Sequence, residues 1–87
     1  MDDHLILQEL IELLESYGIR TRIEALNESN GGLCTINGEK ILFLNTYDQS
    51  KEQAAVCVDA VLKAIDIEAI YIKPEIRTFI EKRINMH

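Results

Sequence analysis

Between residues 3 and 17, DHLILQELIELLESY, apolar side chains return at helical spacing: Ile6, Leu10, Leu13 and Tyr17, flanked by Leu7, Ile11 and Leu14. Gln8, Glu9, Glu12, Glu15 and Ser16 fill the opposite stripe. The pattern predicts a helix capped by Asp2 or Asp3 and stopped by Gly18. Its apolar sector covers roughly 160°, wider than the stripe of about 100° that faces one core, so the helix is expected to touch more than one surface.

From residue 19 the period changes to two. Ile19, Thr21, Ile23 and Ala25 alternate with Arg20, Arg22, Glu24 and Leu26, which predicts a half-exposed strand with both arginines in water. The polar segment 27–32, NESNGG, reads as a turn. Two further strands, 33–36 and 40–45, flank Asn37-Gly38, the strongest short hairpin signal. The simplest register sets Ile36 opposite Glu39, Thr35 opposite Lys40 and Cys34 opposite Ile41. Ile41-Leu42-Phe43-Leu44 is apolar on both faces, which suits a central strand or an edge that something covers.

Beyond a loop at 46–49, Ser50-Lys51-Glu52-Gln53 matches a capping box. The helix it opens runs to about residue 66 and is expected to bury Ala54, Val58, Val61, Leu62 and Ile65. Cys57, Ala60 and Ala64 form a small-residue flank that another helix could approach. Residues 67–73, IEAIYIK, read either as a short strand or as an extended connector. Pro74 suits the first turn of a last helix with an apolar stripe of Ile76, Phe79, Ile80 and Ile84. The expected fold is α+β in two layers: a helix, a three-stranded antiparallel meander, a helix and a short C-terminal helix.

Length makes this 1–87 a single domain, because 87 residues leave no room for two cores. A chain of this size buries only about 60% of its unfolded surface, yet 47% of the residues are hydrophobic. That surplus points to a covering partner, a second copy included. The net charge of −6 repels phosphate backbones and anionic lipid, so no nucleic acid and no membrane partner are expected. Residues 1–18 carry five acids and no base, whereas 71–87 carry four bases against two acids. Solvated helix faces are the simplest account of both. The N-terminus has no secretory pattern and no apolar run is long enough to span a bilayer. With only two cysteines, neither a disulfide framework nor a zinc knuckle is expected, and a reducing cytoplasmic setting fits.

Candidate chemistry is sparse. A phosphate-binding loop needs a helix after its glycines, and Gly31-Gly32 precedes a strand, so the pair reads as a strand-entry turn. Cys34 as a nucleophile would need a neighbouring base, and the two histidines, His4 and His87, lie near the ends. Cys34 and Cys57 therefore read as small core residues. Neither Asp2-Asp3-His4 nor His87 has ligands at metal-site spacing, so no metal and no cofactor are expected. Asn45, Tyr47 and Asp48 sit where a strand gives way to a helix, a favourable place for a binding loop. With Cys34 they form the candidate binding site, and no catalytic residue is assigned.

The order GGLCTINGEKILFLN then SKEQAAVCVDAVLKA resembles the hairpin-to-helix layout of zincin-type metallopeptidases. That resemblance would place the metal motif at residues 59–63, where Asp59 and Lys63 stand for its two histidines and Ala60 for its glutamate. It implies a scaffold without zinc or general base, and no functional residue carries over. With its IYIKPEIRTFIEKR tail, the chain also looks like short uncharacterised bacterial proteins that share a GGLC hairpin and a Pro-x-x-Arg helix. That likeness implies a free-standing protein and brings no activity. The expected function is non-catalytic, through protein–protein interaction or self-association as a homodimer. The alternatives are a ligand-binding or thiol-dependent enzyme domain around Cys34, Asn45 and Tyr47, and a regulatory module on a metal-free zincin-like scaffold.

Overall fold

The computed structural model describes residues 1–27 and 31–85. Its first helix, α1 (Asp3–Ser16), begins where Asp2 accepts the Leu5 N–H at 2.9 Å. It ends in a Schellman motif: Gly18 N–H donates to Glu15 and Ile19 N–H to Leu14, both at 3.0 Å. Leu14 and Ile19, which that motif brings together, are both buried. Three strands follow, β1 (Arg20–Glu24), β2 (Gly32–Ile36) and β3 (Glu39–Asn45). Helix α2 (Ser50–Ala64), a single 3-10 turn at Ile67–Ala69 and helix α3 (Pro74–Asn85) complete the chain. The ambiguous stretch 67–73 is thus a turn and a connector, not a strand.

The α+β class and the one-sided helix cover are as expected, but the sheet is not a meander. Its order is β1-β3-β2, with β3 central, antiparallel to β2 and parallel to β1. The hairpin register is the one the Asn-Gly turn predicts, Ile36 to Glu39 through Gly32 to Phe43. Asn37 and Gly38 both have positive φ, 51° and 81°, the signature of a type I′ turn. β1 passes over its sequence neighbour β2 to pair with β3, Arg20 opposite Ile41 and Glu24 opposite Asn45. The physical reason is the composition of β3: with both faces apolar it gains most from the central position.

Alternation along β3 sends Leu42 and Leu44 into the helices, where both are fully buried. Ile41 and Phe43 point to the opposite face, outside the cluster the helices form; Ile41 is nonetheless buried there and Phe43 half-buried. One apolar cluster, from Ile6 to Ile80, joins α1, α2 and α3 to the covered face. α1 packs along α2 and reaches β1, α2 lies on β2 and β3, and α3 rests on both longer helices.

That cluster takes up most of the wide apolar sector of α1, the small-residue flank of α2 and the apolar stripe of α3, leaving Tyr17 and Ile84 exposed. Ile6, Leu7, Leu10 and Leu14 of α1 are buried, as are Cys57 and Ala60 of α2 and Ile76 and Ile80 of α3. The small side chains Cys57 and Ala60 of α2 therefore lie within the core, where α1 packs along α2. Leu62, expected in the core, is exposed. Two bonded ion pairs tie α3 and its approach to the rest: Arg83 holds both carboxylate oxygens of Asp59 at 3.2 and 2.9 Å, and Lys73 meets Glu9 at 2.8 Å.

Candidate functional site

The candidate residues do not converge. Asn45 is buried, and its amide serves the fold: Nδ2 donates to the Leu26 carbonyl at 3.0 Å, and Oδ1 accepts from Leu26 N–H at 3.3 Å and Tyr47 N–H at 3.1 Å. Its own carbonyl accepts from Asp48 N–H at 3.1 Å and from Gln53 Nε2 at 2.8 Å. Asn45, Tyr47 and Asp48 thus form one locked turn, with the Tyr47 ring left 76% exposed.

The capping box at Ser50 is not formed. Gln49 is the N-cap and makes no side-chain cap bond, while Gln53 turns inward to the end of β3. The buried carbonyl of Asn45, which already accepts the Asp48 N–H, takes a second donor from Gln53.

Cys34 overturns its expected place in the core. It lies exposed on β2, opposite Ile41, four positions along β3 from Asn45. At about 3.3 Å of rise per residue that is roughly 13 Å, too far for Cys34 and the turn to act on one small substrate. Its register with Ile41, not with the core-facing Leu42, puts it on the uncovered face. Cys57 is buried as expected, and burial pushes its thiol up to about 12, so it stays protonated and inert at neutral pH. His4, on the exposed first turn of α1, faces Gln8 at 3.3 Å. His87 and the polar part of the turn at 28–30 lie outside the described residues. Among the described residues no three His, Cys, Asp or Glu side chains gather as a metal set, and no helix is long and apolar enough to cross a membrane.

The double glycine has a steric cause. At Gly31, φ is +85° and a Cβ would stand 2.2 Å from the Phe43 carbonyl oxygen. Leu26 and Gly31, on either side of the undescribed 28–30, both lie against the end of β3 as the chain passes from one edge of the sheet to the other.

Two features that the candidate list misses lie beside that entry. One is a groove of about 400 Å³ between the start of β2 and α2, where Gly32 and Leu33 face Glu52, Val56, Asp59 and Lys63. The helical spacing of Glu52, Val56, Asp59 and Lys63 is legible in the sequence as a mixed-charge face. The other is the open sheet: Ile36 is 43% exposed, Cys34 is exposed, and Arg22 lies over the Phe43 ring, 5.7 Å from its centroid. Compared with known proteins, the chain matches no family model, no curated protein and no solved structure.

Proposed function

We propose that this protein is a non-catalytic interaction module whose working surface is the free edge of β2 with the groove beside it. The character of that edge carries the reading. Natural sheets blunt exposed edges with charge, proline or bulges. β1 follows the rule, with Arg20, Arg22 and Glu24 in five residues. β2, Gly-Leu-Cys-Thr-Ile, carries no charge and no proline, and pairs with β3 without a bulge. Across the type I′ turn the Ile36 carbonyl faces Glu39, so alternation directs the main-chain N–H and C=O of Leu33 and Thr35 away from β3. Such a row of main-chain groups is what an added strand binds.

A thiol-directed photocrosslinker tests this, because Cys57 is buried and Cys34 takes the label. The labelled protein is returned to extract of the cells that make it and irradiated. Discrete adducts are expected from Cys34 and not from a label at Tyr71→Cys in a Cys34→Ser background, since Tyr71 is 81% exposed and far from β2 in sequence. Equal, diffuse adducts from both positions would remove the edge as a working surface.

A further inference from the structure

We infer that the strand added to β2 is the β2 of a second copy, paired antiparallel about Cys34, and that the two α2 helices close the same interface. This rests on the edge reading above and names its partner. Within β2, Leu33 and Thr35 are the residues that direct main-chain groups outward, so an antiparallel self-pairing that sets Leu33 of one copy against Thr35 of the other satisfies both. The two-fold axis then passes between the two Cys34 residues, and no charge opposes a like charge, because β2 has none.

The groove face of α2 is self-complementary about the same kind of axis. Glu52 lies near its N-terminal end and Lys63 near its C-terminal end, both exposed, with the half-buried Ala55 and Val56 between them. Asp59, the other acid on this face, is already neutralised by Arg83. Antiparallel α2 helices set Glu52 against Lys63 of the other copy, twice, over a centre of Ala55, Val56 and the internally paired Asp59 and Arg83. A two-fold interface requires this reciprocity, residue i on j and j on i.

The spacing agrees. Strands lie about 4.8 Å apart, so the axis runs roughly 2.4 Å outside β2. α2 rests on both β2 and β3; taken midway between them it lies about 5 Å from the axis and its mate about 10 Å away. Helices with small contact residues pack at about 8–10 Å. The product is a six-stranded sheet with both α2 helices on its covered face.

Light scattering across a concentration series in reducing buffer should give twice 9.9 kDa. Thr35→Pro removes one outward donor per copy, two across the axis, and should weaken the dimer by about a hundredfold while the far-UV spectrum and cooperative melt persist. If that variant fails to fold, Cys34→Glu sets two carboxylates on the axis and should give the same loss. Glu52→Lys should weaken pairing by roughly tenfold, and adding Lys63→Glu should restore it. Diamide, which accepts the two electrons and two protons released by two thiols, should join Cys34 to Cys34 quickly, because a non-hydrogen-bonded pair sets Cα atoms about 4.5 Å apart. Ile36→Cys in a Cys34→Ser background should join slowly, since Ile36 then opposes Gly32. A strict monomer, or a dimer indifferent to both edge variants, overturns the inference; equal oxidation rates overturn the register. A monomer that still gives discrete Cys34 adducts in extract sinks self-pairing and leaves the interaction module standing.

Discussion

The side-chain amide of Asn45 pairs with the main chain of Leu26 as a neighbouring strand residue would, donating to its carbonyl and accepting its N–H. This reciprocal pair takes over where the β1–β3 ladder ends at Glu24 and Asn45. It holds the exit of β1 against β3 at the point where the chain must turn toward the far edge. Asn45→Ala leaves Leu26 and Tyr47 without these partners in a half-buried place, and is expected to cost about 2–3 kcal/mol in urea unfolding. Asn45→Asp should be nearly as harmful, because a carboxylate cannot donate to the Leu26 carbonyl.

Gly31 should tolerate no side chain. Gly31→Ala places its methyl against main chain, not a movable side chain, in a left-handed conformation. A loss of at least about 2 kcal/mol is expected, read as a lower urea midpoint at unchanged slope. Gly32→Ala meets open space around its Cβ, so it should escape the clash and cost only the backbone strain of its φ of +147°.

The two thiols should separate cleanly. In dilute native protein at pH 8, one equivalent of label should enter at Cys34, and Cys57 should react only when the chain opens. Burial raises the Cys57 pKa from 9.0 to about 12, so above pH 9 the unfolded chain releases a proton that the folded chain keeps. Stability should therefore fall as pH rises from about 9 towards 12. Cys57→Ala should lower stability at pH 7 by about 1–2 kcal/mol and flatten the decline above pH 9, measured by denaturation across pH.

Thr21 has a buried hydroxyl oxygen with no hydrogen-bond partner, in register with Leu42 on the covered face. Thr21→Val keeps the shape and removes the unsatisfied group. It should stabilise the fold by about 1 kcal/mol, raising the melting temperature by roughly 4–8 °C.

Local signals in the sequence carry the elements well, and their partners poorly. Asn37-Gly38 sets a hairpin register directly, because two residues in a type I′ turn leave one pairing. Asp2, Gly18 and Pro74 likewise mark helix ends through their own backbone chemistry. The partner of β1 has no such marker: alternation says that 19–26 is a strand and nothing about which strand it joins. Cys34 is misplaced for a related reason. Ile41 to Leu44 is apolar at every position, so the side of the sheet that meets the helices cannot be read from it, and Cys34 follows Ile41 to the uncovered one. At the site, the turn 45–48 is visible but its purpose is not. Asn45 and Gln53 resemble loop and cap residues until the end of β3 is seen to need their hydrogen bonds.

The parallel pairing of β1 with β3 also sets an order in time. A ribosome delivers α1 and β1 first, yet β1 has no mate until the chain has been made through Asn45. β2 and β3 lie two residues apart and can zip as soon as both emerge; β1 must wait for them, with the apolar side of α1 uncovered. Sheet assembly therefore starts in the middle of the chain and reaches back to its beginning.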